Sequence, residues 1–369
     1  GKTDVMNADE VFMQRAVDLA MRAQGRTSPN PVVGAVVVRG RCVVSEGYHH
    51  QAGLPHAEIE ALRKTQHPVR GATVYVNLEP CSHHGRTLPC ADALIEAGIK
   101  RVVVGMTDPN PRVRGRGIRR LRRAGITVTT GVLKEVCKRI NEDFSVCIRT
   151  GKPFVTLKLA ASLDGRIAAA SGDARWISGD ASRRVVHELR NYVDAIIVGA
   201  ETVKVDNPQL TCRIRGGRDP LRVILDGRLS ISPAAQVCTQ QSKAATLIAT
   251  TPRAARLRGA AFNKIGVEVV SFSGRQGRIS LCSVLESLAT RGAKHVLIEG
   301  GGQVAAAALQ EGVVNKVLFF YGPVLLGGDG RAMLAPLGIT RVAEGLKLRT
   351  MQFDQIGKDV MVSGYVETP

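Results

Sequence analysis

His56-Ala57-Glu58, followed by Pro80-Cys81 and, after eight intervening residues, Cys90, is the set of residues in this chain most able to do chemistry. One imidazole and two thiolates supply three donors to a Zn²⁺ ion, and a tetrahedral ion with three protein donors keeps its fourth position for water. Water held there has its pKa lowered from ~15.7 toward ~7, so hydroxide is available at neutral pH. Glu58, two residues beyond the histidine, is spaced to stand beside that water and move protons without binding the metal. The chemistry this predicts is hydrolytic.

The pattern H-x-E, then P-C, then a second cysteine is that of zinc deaminases. The spacing is unusual, because the commoner form puts two residues between the cysteines and this chain has Ser82-His83-His84-Gly85-Arg86-Thr87-Leu88-Pro89. A core histidine with two buried free thiols, or a structural zinc completed by another residue, is the plain alternative. His83 and His84 are read as substrate contacts or loop residues, since a fourth protein ligand would close the position that water needs.

The elements around these residues can be read from periodicity. Phe12, Ala16, Leu19, Ala20 and Ala23 recur at helical spacing with Gly25 as a stop. Val32–Val38 and Cys42–Gly47, split by Arg39-Gly40-Arg41, read as a hairpin. His56 and Glu58 then open a helix, and Val74–Leu78 is a strand that leaves Cys81 in the loop after its C-terminal end. Cys90 starts another helix, where the positive end of the dipole favours a thiolate. Strand Arg101–Gly105, a basic helix over residues 117–124, strand Ile126–Thr130 and one helix from Leu133 to about Phe144 complete an α/β unit with helices on both faces.

Gly151-Lys152-Pro153 interrupts the pattern and marks a boundary, giving domains over residues 7–150 and 151–369. Strands are expected at Phe154–Ala160, Ala195–Val198, Arg222–Leu225, Thr246–Ala249, Val267–Ser271, Val296–Ile298 and Val317–Tyr321. An antiparallel hairpin around Gly357-Lys358 ends the chain.

At 369 residues and 44% hydrophobic, the sequence can bury two cores. Its eight cysteines form no dense framework, and a reducing cytoplasm is the expected setting. No apolar run approaches the ~20 residues of a membrane span, and residues 1–9 lack the apolar segment of a signal peptide. The net charge of +19 attracts polyanions, and seven arginines lie between 112 and 123. Aromatic residues make up only 4% of the chain, so few could stack on splayed bases. Nucleic acid is therefore not the expected partner, and a solvated face or an attractor for small anions is.

In the second half, Glu299-Gly300-Gly301-Gly302 lies between a short strand and an Ala-rich helix, where backbone amides could meet a phosphate, although a tight turn would use the same glycines. Residues 161–166 and 206–210 are polar clusters at strand ends. Arg190 and Arg213 have the forked geometry to grip phosphate, but composition does not separate them from surface arginines.

Taken together, the chain resembles the bifunctional riboflavin-biosynthesis deaminase/reductase family. In the first half the resemblance rests on Pro29-Asn30-Pro31, Gly47-Tyr48-His49, Pro55-His56-Ala57-Glu58, residues 78–87 and Asp108-Pro109-Asn110-Pro111. In the second half it rests on residues 158–166, Trp176-Ile177, Thr202, Asp206-Asn207-Pro208, Leu210 and Glu299 with its glycines. The long insert between Cys81 and Cys90 is this family's own form. Leu88 stands where a second proline is usual, and Ala174 and Gly227 stand where relatives can carry serines.

The resemblance implies an α/β protein with a cytidine-deaminase-like α/β/α sandwich followed by a dihydrofolate-reductase-like α/β domain. It implies zinc on His56, Cys81 and Cys90, Glu58 as acid/base, and Asn30 and His49 holding the pyrimidine. It further implies Lys158, Arg190, Arg213 and Glu299 at the reductase substrate. An NADPH site would be lined by Ala160, Trp176, Thr202, Asp206, Leu210, Gly301, Gly302, Gln303, Val304, Ala305, Ala306 and Ala307. The implied substrate is 2,5-diamino-6-ribosylamino-4(3H)-pyrimidinone 5′-phosphate, deaminated first and then reduced from ribosyl to ribityl; a homo-oligomer is compatible with it. The competing reading is a nucleic-acid (tRNA) editing deaminase with a C-terminal binding domain.

Overall fold

The computed structural model describes residues 6–82, 88–174, 177–274 and 279–367. His83, His84 and Trp176 lie outside the described residues. The chain divides into two compact units, residues 1–151 and 152–369.

In the first unit the elements are α1 (Ala8–Met21), β1 (Gly34–Arg39), β2 (Cys42–Tyr48), α2 (Ala57–Lys64), β3 (Thr73–Leu78), α3 (Cys90–Glu96), β4 (Arg101–Met106), α4 (Arg116–Arg123), β5 (Thr127–Thr130), α5 (Lys134–Ile140) and α6 (Glu142–Thr150). They build a five-stranded sheet in the order β2-β1-β3-β4-β5, antiparallel at β2-β1-β3 and parallel from β3 onward. Side chains alternate across a strand, so each strand serves two cores. Val74, Val76, Val102 and Val104 pack with Ala57, Ala61, Leu94 and Leu121 of α2, α3 and α4. Tyr75 and Val103 pack with Met13, Ala16 and Val17 of α1 and Cys137 of α5. This is the helix-sheet-helix layering expected. A Cβ on Gly47 would lie 2.7 Å from the Ala57 carbonyl oxygen, so glycine there lets β2 approach the start of α2, which carries the candidate ligands.

The single helix expected from Leu133 to Phe144 is two, α5 and α6, broken at Asn141. The break has a cause. The fully buried Asn141 side chain accepts from Val32 N (2.8 Å) and donates to Val32 O (2.9 Å). Asn77, equally buried, donates to the same carbonyl (3.0 Å) and accepts from Gly34 N (2.9 Å). Two amides thus clamp the backbone just after Asn30.

The second unit contains β6 (Phe154–Ser162), β7 (Arg166–Ala168), α7 (Asp180–Tyr192), β8 (Ala195–Gly199), α8 (Ala200–Asp206), β9 (Leu221–Leu225), α9 (Gln236–Thr239), β10 (Thr246–Thr250), α10 (Pro252–Asn263), β11 (Glu268–Ser271), α11 (Leu281–Thr290), β12 (His295–Glu299), α12 (Gly302–Gln310), β13 (Lys316–Gly322), β14 (Arg331–Ala332), β15 (Leu348–Ile356) and β16 (Asp359–Val366). Its nine-stranded sheet runs β11-β10-β9-β8-β12-β6-β13-β16-β15, with the terminal hairpin β15-β16 antiparallel and the rest parallel up to β13. The central strands are continuous apolar runs, as strands buried on both faces must be. α11 and α12 cover one face, and α8, α9 and α10 the other. The short pair β7-β14 was not among the expected strands. No helix among the described residues is long and apolar enough to cross a membrane.

Candidate active sites

His56 is the N-cap of α2, but its side chain makes no cap hydrogen bond. Its Nδ1 lies 3.2 Å from Cys90 Sγ and 3.6 Å from Cys81 Sγ, and the three donor atoms fall within 4.8 Å of one another. Tetrahedral zinc with ordinary Zn–N and Zn–S bonds spaces such donors about 3.5 Å apart, so the set fits that ion.

Cys90 is the first residue of α3, and its amide donates to Cys81 Sγ at 3.3 Å. Cys81 is placed by what precedes it. A Cβ on Gly117 would sit 1.9 Å from the Pro80 carbonyl oxygen, so glycine at the start of α4 is required for the loop to pass. The buried Glu79 carboxylate accepts from Asp108 N (3.0 Å), Gly115 N (2.9 Å) and Ile118 N (3.2 Å), tying this loop to the next.

The thiols are polarised. A hydrogen bond from Cys90, followed by contacts with His56, brings Cys81 down to about 4, while the same pairing and burial hold Cys90 up. The hydrogen bond to Cys81 raises His56. Glu58, 3% exposed in the first turn of α2, is raised to about 7, chiefly by burial and then by the Cys81 charge.

Beside the donor set stand Asn30 and the buried His49, whose ring centroid lies 5.5 Å from that of His56. The His49 Nδ1 is 3.1 Å from the Pro55 carbonyl and must donate to it, so Nε2 accepts from Asn30 Nδ2 at 3.1 Å. The Asn30 oxygen then remains an acceptor. Asn30, His49, His56, Glu58 and Cys81 line one cavity of about 320 Å³, with Cys90 behind it at 1% exposure. Glu79, Asp108, Asn110 and Phe144 line it too and were not singled out from sequence as site residues; the Asp108–Pro111 motif was the available signal for two of them.

In the second unit Lys158 on β6 and Glu299 on β12 are register partners in adjacent parallel strands. Arg190 of α7 grips Glu299 with two hydrogen bonds, Nε to Oε1 at 2.8 Å and Nη2 to Oε2 at 3.0 Å, and Lys158 Nζ stands 3.6 Å from Oε2. Burial opposes the charge on Glu299, but Arg190 and Lys158 override it and bring its pKa down to about 2. Burial, with Arg190 nearby, lowers Lys158.

Lys158, Arg190, Leu210, Arg213 and Glu299 line a cavity of about 310 Å³. Lys158 and Glu299 also wall a second one of about 370 Å³, together with Ala160, Ala174, Thr202, Asp206 and Gly301. A third, of about 830 Å³, is lined by Gln303, Val304, Ala306 and Ala307 with Gly227 and Arg228. Gly302 packs against the 332–335 backbone, and Ala305 is fully buried in the core beneath α12, in none of these cavities. Leu210 holds a left-handed φ of 56°. Ser178, Arg183 and His187, which the sequence reading passed over, line the first of these cavities.

Among known proteins, residues 6–106 match the cytidine and deoxycytidylate deaminase zinc-binding region, and residues 153–362 match the RibD C-terminal domain. Riboflavin biosynthesis protein RibD of Synechocystis sp. is 42% identical over 98% of this chain and 97% of its own length. The Escherichia coli protein of that name is 38% identical over 95% and 98%. The chain belongs to the RibD family. Solved structures agree: Acinetobacter baumannii RibD superposes with a TM-score of 0.87 at 36% identity, covering 98% of this chain and 99% of that one. A Thermotoga maritima diaminohydroxyphosphoribosylaminopyrimidine deaminase/5-amino-6-(5-phosphoribosylamino)uracil reductase does so at 0.85 and 40%, with the same coverage. The chain is a bifunctional enzyme of riboflavin biosynthesis, with a cytidine-deaminase-like zinc-binding half and a dihydrofolate-reductase-like reductase half.

Proposed function

We propose that residues 7–150 deaminate 2,5-diamino-6-ribosylamino-4(3H)-pyrimidinone 5′-phosphate and that residues 151–369 then reduce the product. The buried Glu58 carboxyl beside a three-donor set, sharing one cavity with the Asn30–His49 pair, carries the first half of this reading.

His56, Cys81 and Cys90 hold zinc, which when bound activates water as a nucleophile at neutral pH. Asn30 and His49 hold the pyrimidine. Glu58 takes a proton from the attacking water and delivers it to the departing amine, and its near-neutral pKa suits both transfers.

In the reductase, Lys158, Arg190, Arg213 and Glu299 hold the substrate. The buried ion pairs fix Glu299 and Arg190 before it arrives, so positioning is the protein's main contribution there. Residues lining the two further cavities would hold NADPH, which would supply hydride to C1′ of the ring-opened sugar. No side chain caps the start of α12 at Gly301, where backbone amides can meet its phosphates. Ala160, Thr202, Asp206 and Gln303, Val304 and Ala307 of α12 line its path; Trp176 and Leu210 are assigned to the same site on resemblance.

The partners are this small phosphorylated pyrimidine and NADPH, not nucleic acid, and the setting is a reducing cytoplasm that keeps Cys81 and Cys90 as thiols. The editing-deaminase alternative would need a nucleic-acid-binding second half, and that half matches the RibD C-terminal domain. A two-step assay with the diamino substrate, following ammonia and NADPH separately, tests the assignment. Ammonia release must precede NADPH oxidation.

A further inference from the structure

The proposed deaminase substrate carries a phosphate at the far end of its ribosyl group. Among the described residues the lining of the deaminase cavity includes the carboxyl groups of Glu58, Glu79 and Asp108 and neither lysine nor arginine. With the pyrimidine held by Asn30 and His49 beside the zinc donors, the ribosyl phosphate would extend outward to the mouth. One wall of that mouth is the segment from 108 to 118, which the Glu79 carboxylate pins through three backbone amides.

Within this wall Val113 N and Arg114 N both donate to the Asn110 carbonyl, at 3.1 and 3.0 Å. The segment is therefore one helical turn, and positions i, i+3 and i+4 share a face. Asn110 and Val113 line the cavity, and Arg114 is the i+4 member of their face. Arg112, at i+2, falls on another. Both arginines are exposed. Arg120 is committed to Asp92, whereas no residue among those described forms an ion pair with Arg114. No acidic residue occurs between Asp108 and Glu135 to neutralise it.

We propose that Arg114 is the residue by which the deaminase site selects a phosphorylated nucleotide, its guanidinium taking the substrate's 5′-phosphate at the cavity mouth. This rests on the deaminase reading above. A planar fork suits phosphate oxygens, and the rigid turn would present it at little cost in ordering.

The test compares kcat/KM for the diaminopyrimidinone ribotide and for its dephosphorylated riboside in the full-length, zinc-loaded enzyme. Arg114→Ala should cut the preference for the ribotide about 10- to 100-fold, mainly through KM, as expected for losing a charge-assisted contact. Arg114→Lys should keep part of the preference and Arg112→Ala all of it. Inorganic phosphate, used as a competitive inhibitor, should bind more weakly to Arg114→Ala, with zinc content and melting temperature unchanged. An undiminished preference in Arg114→Ala overturns the proposal. So do equal losses in the two alanine variants, which would mean diffuse attraction by the basic stretch. A wild-type enzyme that releases ammonia from neither compound overturns the deaminase reading itself, and this proposal with it.

Discussion

At the scale of single residues, the two sites use burial in opposite ways. Glu58 is buried beside a thiolate, which favours its protonated form and brings it to about 7; Glu299 is buried between two cations, which hold it ionised. Glu58→Gln should retain zinc, because all three donors remain, while ammonia release falls ~10²- to 10⁴-fold. Metal analysis alongside an ammonia assay checks both. His56→Ala, Cys81→Ser and Cys90→Ser should instead lower zinc content, since three donors are the minimum of such a site; full occupancy in any of them would misplace it.

Glu299 makes a pH prediction. Its pKa falls from 4.5 to about 2 on folding, so its contribution to stability is complete above 4.5 and is lost as pH drops through that window toward 2. The depression corresponds to roughly 3 kcal/mol. Thermal unfolding followed from pH 6 to pH 2 should show this acid limb. Glu299→Gln should be less stable near neutrality, with Lys158 and Arg190 left without their counter-charge, and should lose that part of the limb. An unchanged pH profile in the variant would contradict the ion-pair account.

At the scale of elements, the separation of α5 from α6 shows what sequence periodicity can and cannot convey. Most strands and the helices at Cys90 and His56 are legible because one face, or both, must be apolar: Val74 and Val76 alternate with Tyr75 and Asn77, and 195–198 is a buried run. The break at Asn141 is not legible, since it serves hydrogen bonds to Val32, more than a hundred residues away. The anchoring of the 108–118 wall by Glu79 is hidden for the same reason, and β7-β14 is too short for any period to show. Likewise the grip of Arg190 on Glu299 joins two residues 109 apart in sequence, which neither residue type announces.

Asn141→Ala tests the clamp. It leaves one buried donor and one acceptor at Val32 with fewer partners, a loss of about 1–3 kcal/mol. The first unit should unfold at a lower temperature, and KM for deamination should rise because Asn30 loses its anchored backbone. NADPH oxidation with the deaminated intermediate should not change. A wild-type melting curve would mean that Asn77 alone holds the segment.

At the scale of the whole molecule, each unit has its own sheet, its own cores and its own candidate site. The donor set and Glu58 lie entirely before residue 152, and every residue assigned to hydride transfer lies after it. Separation between Gly151 and Lys152 should therefore give an N-terminal piece that releases ammonia without oxidising NADPH. A C-terminal piece that stays folded should oxidise NADPH only when supplied with the deaminated ribosyl phosphate. Reduction of the diamino compound by that piece would show that its site does not require the pyrimidine to be deaminated.

The proposed order, deamination before reduction, is tested most directly by Glu58→Gln in the full-length enzyme. Given the diamino substrate, this variant should neither release ammonia nor oxidise NADPH; given the deaminated intermediate, it should oxidise NADPH at the wild-type rate. Sustained NADPH oxidation by Glu58→Gln with the diamino substrate would show that reduction can come first, and the account would be wrong.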